Sequence, residues 1–373
     1  MRVALVIAGP YPAFRGSQVL VRHLANGLSE RGHGVEVVTY GRWLAQRPGL
    51  HPARVALDAM LLGRLFRVVR GRAIDVIHAH NYEAAIAGLI VARATGRPLV
   101  YHGHSALAEE LPTYARRAIP RRLLARLGRA LDAQVPRRAD FCIAVSEELG
   151  ARLLRGGVTG DEIACISPVG APEEVGASEP TAPPEDGALV CYAGNLDGYQ
   201  NLDFLSESFR RVRAWVPRAR LVLLTHEGGR AEAARHATEG IEVVQARSYD
   251  EVRERLAAAH VAVCPRTERS GFPMKLLNYM AAGKAIVASA GSAKGLSHGV
   301  TGLVVPDDDP AAFAGAVTAL LEDASLRLRL GTAARRAVER SDAWEGVLDR
   351  IETIYRRVLA RARPALVPVA AAE

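Results

Sequence analysis

The sequence predicts an α/β protein built as two Rossmann-like domains with parallel sheets. Three observations carry the prediction: short apolar runs alternate with amphipathic helical patterns, the alternation occurs twice, and a stretch without periodicity divides the two series. In the first half, Val3–Ala8, Val35–Thr39, Val76–His78, Leu99–Tyr101 and Phe141–Val145 read as strands, with amphipathic segments such as Ser17–Arg31 and Tyr82–Thr95 between them. Runs that are apolar at every position suit strands covered on both faces, as in a parallel sheet. From Gly176 to Gly187 the sequence GASEPTAPPEDG has no apolar periodicity and reads as a linker. Strands then resume at Leu189–Ala193, Leu221–Leu224, Ile241–Val244, Val261–Cys264 and Ala285–Ala288.

With 373 residues, 49% of them apolar, the chain is long enough for two cores of ordinary size. The apolar run Val3–Ala8 is broken by Gly9 and Pro10 and is too short for a signal-peptide core or a membrane span, so a cytoplasmic location is expected. Four cysteines, Cys142, Cys165, Cys191 and Cys264, lie in apolar runs without Cys-x-x-Cys spacing, which favours buried, reduced thiols over a metal site or disulfides. The net charge of +8 suits an anionic substrate, a membrane surface or plain solubility, and does not choose among them. Many arginines cluster between Arg116 and Arg138, where Leu123, Leu127, Leu131 and Val135 form an apolar stripe beside Arg122, Arg126 and Arg129. Such a helix fits peripheral contact with an anionic membrane, and equally a helix packed on its own domain with a solvated arginine face.

The most informative stretch is RTERSGFPMKLLNYMAAGKAIVAS, Arg266–Ser289. The run HVAVCP before it delivers the loop Arg266–Pro273 to the carboxyl edge of a sheet, where open α/β sheets bind ligands. From Met274 to Ala282 the apolar residues Met274, Leu276, Leu277, Met280 and Ala281 recur at helical spacing, and Gly283 stops the helix. Free N–H groups at the start of this helix favour an anion.

In GFP, MAAGK and IVAS the chain resembles the retaining nucleotide-sugar glycosyltransferases of the GT-B fold, in particular glycosyltransferase family 4. GHGVEVVT, DVIHAH, RPLVYHGH, ADFCIAVSEEL and GVTGLVVPDDDP are similar to the family's phrases and follow in the family's order. The resemblance implies two domains facing across a cleft: residues 1–175 on the acceptor side, a linker at 176–187, a nucleotide-sugar-binding domain at 188–342, and a returning helix and tail at 343–373. It implies a retaining hexosyltransferase that moves a sugar from a nucleotide-diphosphate sugar, a UDP-sugar in first place, to a hydroxyl of a glycan, glycolipid or small natural product, with no metal or cofactor and no nucleic acid.

The chain departs from the family at its charged positions. The family's two glutamates fall on Ser270 and Asn278, with Glu268 two residues before the first; Asn278 can still offer an amide oxygen to ribose hydroxyls. The Arg and Lys of the Gly-Arg-Leu-x-x-x-Lys-Gly loop fall on Asn195 and Gln200 of GNLDGYQN, beginning at Gly194. Loss of a nucleoside diphosphate requires positive charge, so Lys275 is the replacement expected here, with Arg266 second; a solvated helix lysine is the plainer alternative. The donor site expected from the motif takes in Gly271, Phe272, Pro273, Met274 and Leu276 as well, with Gly16 admitting the diphosphate to backbone N–H groups and Arg15 beside it. By resemblance His104 meets the donor sugar and stabilises charge, and Glu109 and Glu110 lie on the acceptor side. Core or supporting roles are expected for His78, His80 and His102, and a helix cap rather than a metal site for Asp307–Asp309. The competing reading is a non-catalytic nucleotide-sugar-binding relative that assists another transferase, supported by the missing charges.

Overall fold

The computed structural model describes residues 1–12, 15–41, 53–114, 120–170, 188–225, 237–339 and 342–362. The linker expected at 176–187 and the tail beyond 362 lie outside the described residues. Contacts divide the chain into two compact units, one of residues 1–13, 17–167 and 345–373, the other of 14–16 and 168–344.

In the first unit, strands β1 (Arg2–Ile7), β2 (Gly34–Val38), β3 (Val76–His80), β4 (Leu99–Gly103), β5 (Phe141–Ala144) and β6 (Ile163–Cys165) form one sheet in the order β2-β1-β3-β4-β5-β6. Every pairing is parallel. β3, β4 and β5 are buried at each position, the histidines of β3 and β4 included, as strands covered on both faces are. Helices α1 (Gly16–Glu30), α2 (Ala53–Gly71), α3 (Asn81–Thr95), α4 (Leu107–Glu110), α5 (Arg121–Gln134) and α6 (Glu147–Arg155) alternate with these strands.

In the second unit, β7 (Leu189–Ala193), β8 (Arg220–Thr225), β9 (Ile241–Gln245), β10 (Val261–Cys264), β11 (Ala285–Ser289) and β12 (Leu303–Val305) form a parallel sheet in the order β12-β11-β10-β7-β8-β9. Alternate residues feed two cores. Val190, Tyr192, Leu221, Leu223, Val261, Val263 and Val287 face one, and Cys191, Val222, Leu224, Ala262, Cys264, Ile286 and Ala288 the other. The helices are α7 (Leu202–Trp215), α8 (Tyr249–Ala257), α9 (Lys275–Ala281), α10 (Pro310–Glu322) and α11 (Ala324–Val338). Asp309 caps α10, accepting from the Ala311 and Ala312 amides at 3.1 and 2.9 Å, with Pro310 at the first helical position. At Gly331 a Cβ would stand 2.1 Å from the Gly283 carbonyl oxygen, so α11 lies directly on the turn that ends α9. Buried Lys284 follows that turn and donates to the carbonyls of Ala257 and Ala259, closing the end of α8; burial lowers its pKa to about 8.

A last helix, α12 (Asp342–Ala362), belongs from Glu345 onward to the first unit. There Arg31 bonds to Glu345, Asp349 and Glu352, His33 meets Glu352 at 3.1 Å, and the fully buried Tyr355 hydroxyl meets His78 Nδ1 at 2.6 Å.

One expectation, on the cysteines, is corrected, and the packing of α5, which the sequence left open, is set by its contacts. In α5 the buried positions are Leu124 and Gly128, whereas Leu123 and Leu127 are exposed. The cause is close contact with α4: a Cβ at Gly128 would lie 2.5 Å from the Leu107 carbonyl oxygen, and Asp132 accepts from the amides of Leu107 and Ala108 at 2.9 and 3.1 Å. Backbone approach and a capping carboxylate therefore set the helix rotation, and the leucine stripe does not. All four cysteines are free thiols, but Cys165, on the edge strand β6, is only partly buried. Among the described residues no helix is long and apolar enough to cross a membrane.

Candidate functional site

After β7 the second sheet grows through β8 and β9 to one side, and after β10 through β11 and β12 to the other. The carboxyl ends of adjacent β7 and β10 thus flank the reversal of strand order, the place where this class of sheet binds ligands. β7 leads into Gly194–Gln200, and β10 leads into Arg266–Met274 and the start of α9.

Lys275 opens α9 and joins these two loops. Its Nζ donates to Tyr192 Oη and to Gln200 Oε1, each at 2.8 Å, and lies 3.9 Å from the centroid of the Tyr192 ring. Tyr192 is fully buried and passes its own proton to the Asn195 carbonyl at 2.6 Å; Gln200 Nε2 donates to Asn195 Oδ1 at 2.8 Å, and Asn195 Nδ2 to Tyr199 Oη at 2.9 Å. Asn195 and Gln200, which replace the family's Arg and Lys, form a neutral rack under an ammonium that arrives from the other loop. Gly194 makes room for it: a Cβ there would stand 2.8 Å from Lys275 Nζ. Desolvation lowers the Lys275 pKa to about 8, so the group remains mostly protonated at neutral pH.

Arg266 is buried beside this rack, with Nε 3.2 Å from Glu268 Oε2 and its guanidinium 5.2 Å from the Tyr199 ring centroid. Ser270, Gly271 and Pro273 are buried, while Phe272, Met274 and Asn278 are partly exposed. Arg15 and Gly16 group with this unit: Arg15 Nη1 pairs with Asp197 Oδ2 at 3.3 Å, and a Cβ at Gly16 would meet Met274 Cγ at 3.1 Å. Gly16 accordingly accommodates a methionine side chain.

In the first unit, His78 and His80 on β3 and His102 and His104 at the end of β4 alternate along neighbouring strands, with His80 opposite His102. All four rings therefore project to one face and pack with centroid separations of 4.5 Å (His78–His80), 5.2 Å (His78–His102), 4.9 Å (His80–His102) and 5.0 Å (His102–His104). His80 Nδ1 lies 3.0 Å from His104 Nε2, and His78 Nε2 lies 3.1 Å from His102 Nδ1. Burial lowers every one of the four pKa values, to about 3 for His78 and about 4 for His104. His104 is thus a neutral imidazole at pH 7, able to act as a dipole and hydrogen-bonding group.

The family described as Glycosyltransferase Family 4 matches residues 14–169, and the one described as Glycosyl transferases group 1 matches residues 187–323. A D-inositol 3-phosphate glycosyltransferase of Xylanimonas cellulosilytica is 27% identical over 94% of this chain and 93% of its own length. The chain is a glycosyltransferase family 4-like protein. Its fold is GT-B. Sucrose-phosphate synthase from Thermosynechococcus elongatus superposes with a TM-score of 0.79 at 18% identity, covering 97% of this chain and 100% of that one. The Anabaena HepE protein in complex with UDP-glucose superposes with a TM-score of 0.66 at 16% identity, covering 95% and 100%.

For this family 4-like glycosyltransferase, three readings of the motif need revision. Leu276 is fully buried among Cys191, Cys264 and Tyr279, so its side chain belongs to the core. The start of α9 does not present a full set of free amides, because Leu276 N and Leu277 N already donate to the carbonyls of Pro273 and Met274 at 2.9 and 3.0 Å. The adjacent glutamates are each occupied within the first unit: Glu109 pairs with Arg152, and Glu110 accepts from Ser105 Oγ at 2.7 Å and Tyr114 Oη at 3.2 Å. Tyr192 is the residue the sequence does not reveal. It sits mid-run in LVCYAG and reads as core, yet its hydroxyl anchors the lysine; a polar tip just before the loop glycine is the one available signal.

Proposed function

We propose that this glycosyltransferase moves a sugar from a nucleotide-diphosphate sugar, a UDP-sugar, to a hydroxyl of a glycan, glycolipid or small natural product, with retention at the anomeric carbon. The observation that carries the reading is Lys275. Its ammonium is desolvated at the strand-order reversal, its hydrogen bonds go to neutral oxygens, and among the described residues it has no ion-pair partner. A cation held this way gains most from an anion that arrives at the sheet edge, and the departing diphosphate of a nucleotide sugar is such an anion. Arg266, paired with Glu268 at 3.2 Å, lies beside the same loop and is the second cation of this reading, which calls for no metal. The HepE complex with UDP-glucose supports the choice of donor.

Retention follows from the family resemblance. The leaving phosphate oxygen takes the proton of the acceptor hydroxyl on the face from which it departs, and the chain then needs no base of its own. The contact with donor sugar implied for His104 falls to a neutral imidazole, which polarises without adding charge. The exposed face of α5, where Leu123 and Leu127 stand among Arg121, Arg122, Arg126 and Arg129, suits peripheral contact with an anionic cytoplasmic leaflet and hence a lipid-borne acceptor.

The test is a panel of nucleotide sugars screened by native mass spectrometry, followed by an acceptor screen that measures nucleoside diphosphate release. Donor binding and acceptor-dependent release, both weakened in Lys275→Ala, are expected. Binding without release for any acceptor, in the presence of a partner transferase that it stimulates, would favour the assisting role instead. Unchanged transfer by Lys275→Ala removes the proposed function of the lysine.

A further inference from the structure

The four-histidine array of the first unit has a hydrogen-bond account that does not close. Three links are made: His78 Nδ1 to Tyr355 Oη at 2.6 Å, His78 Nε2 to His102 Nδ1 at 3.1 Å, and His80 Nδ1 to His104 Nε2 at 3.0 Å. Of the three ring nitrogens that remain, His80 Nε2 and His102 Nε2 are buried and without a hydrogen-bond partner among the described residues. They belong to residues directly opposite each other on β3 and β4, each with a side chain almost wholly removed from solvent. A buried, unmet imidazole nitrogen is costly, and two side by side call for a common partner.

We propose that His80 and His102 form a binding site for a divalent d-block cation, Zn²⁺ or a close relative, with their Nε2 atoms as the protein ligands, water completing the shell, and His78 orienting the His102 ring. One ring nitrogen from each of His78, His80 and His102 lies within 4.8 Å of the others, so the two ligating rings are near neighbours. A Zn–N bond of about 2.0–2.1 Å in tetrahedral geometry needs nitrogens about 3.4 Å apart, a contraction that ring rotation supplies. The tautomers are consistent with this use. If His80 and His102 ligate through Nε2, each carries its proton on Nδ1 and donates it, His80 to His104 and His102 to His78. His78 in turn donates from Nδ1 to the Tyr355 hydroxyl. A ligating histidine normally donates its other N–H in this way, and the donation fixes ring orientation and raises basicity. A chain of donors thus runs away from the two unmet nitrogens.

The ligand class follows from the chemistry of the donors. Imidazole nitrogens without a carboxylate suit zinc, copper, nickel and cobalt over magnesium or calcium, which require oxygen. His80 also immediately precedes Asn81, the first residue of the 15-residue α3, so an anion or hydroxide filling an open coordination position would lie near that helix's N-terminus. This inference is independent of the donor reading, which rests on the second unit.

The experiment uses the full-length, untagged protein after exhaustive chelation and dialysis. Titration with Co²⁺ is expected to give one equivalent of tight uptake with the intense visible bands of a four- or five-coordinate site, reversed by Zn²⁺. X-ray absorption at the zinc edge is expected to show an imidazole nitrogen shell at about 2.0 Å. The double substitution His80→Phe, His102→Phe should abolish uptake, while His298→Ala, at an exposed histidine elsewhere, should leave it intact. If the double variant does not fold, the absorption spectrum of the parent protein decides alone. No stoichiometric uptake by the folded parent, uptake without imidazole ligands, or uptake that survives the double substitution would each overturn the site. Unchanged nucleotide-sugar binding after chelation is compatible with it, since donor binding and cation uptake are read separately.

Discussion

The carboxyl edges of the two sheets solve one problem in opposite ways. In the second unit a single ammonium, that of Lys275, is held by neutral oxygens and an aromatic face, so positive charge is retained at partial burial. In the first unit four imidazoles crowd one face, and burial keeps them neutral. The difference teaches that residue type alone does not decide the charge available at a strand end. The lysine begins far above the imidazole on the pKa scale, 10.5 against 6.5, and still titrates near 8 after desolvation, whereas the same penalty puts the histidines far below neutrality. The second unit thus keeps a buried cation at its strand ends, and the first keeps neutral rings with lone pairs.

The largest expected effect tests that division directly. Lys275→Ala should lower kcat by ~100-fold or more, the usual loss when a contact to developing charge is removed. Steady-state release of nucleoside diphosphate measures it. His104→Ala, by contrast, should leave donor affinity within about threefold, because no charge is lost, an effect below ~1 kcal/mol; equal losses of donor affinity in the two variants would break the comparison. Next in size is Gly194→Ala. Its methyl group would displace the lysine ammonium, so turnover should fall by about tenfold, an effect of ~1.4 kcal/mol, on top of a loss of stability from its φ of +159°. Gly331→Ala should act on stability and leave turnover of the folded protein alone. Its Cβ meets a backbone carbonyl that cannot swing aside, so stability should fall by roughly 1–3 kcal/mol in a denaturant titration. Tyr355→Phe should cost about 1 kcal/mol in the same assay by leaving His78 Nδ1 unmet, and should not alter donor binding.

The pH dependence sharpens the contrast further. Lys275 has a folded-state pKa of about 8 against the ordinary lysine value of 10.5 that the unfolded chain would show. Between those values the unfolded chain binds more protons than the native one, so this group's contribution to stability rises with pH across the interval. Lys284, lowered to about 8 as well, acts with the same sign. Donor binding should move the opposite way and weaken as pH rises through about 8, because the ammonium is lost. Calorimetric titrations at about one pH unit either side of that value would show it, and Lys275→Arg should abolish the difference.

The fold is legible in the sequence because strands in parallel sheets carry their signal locally: LVCYA, VAVC and AIVAS are apolar at nearly every position and fall where β7, β10 and β11 do. The three-residue edge strands β6 and β12 are not, since IAC and LVV are too short to separate from loop. Lys275 and Gly194 can be picked from the motif, but the partner at Tyr192 cannot, because its one signal, a polar tip two residues before the loop glycine, does not separate it from a core tyrosine. The face of α5 escapes for a similar reason. Hydrophobicity favours Leu123 and Leu127, while the deciding contacts are made by Gly128, which has no side chain, and by Asp132 through backbone amides. The histidine array needs strand register. HAH and HGH each show alternation, and only the pairing of His80 with His102 makes them one cluster.

The placement of α12 sets an order on how the protein is made. Residues 17–167 leave the ribosome early, but Tyr355, which closes on His78, is translated 277 positions later. The early half must wait, with its histidine face uncovered, while the whole of the later half is synthesised. A nascent chain halted before Glu345 would therefore carry every strand of both sheets, yet its first unit would still lack the helix whose Tyr355 closes on His78.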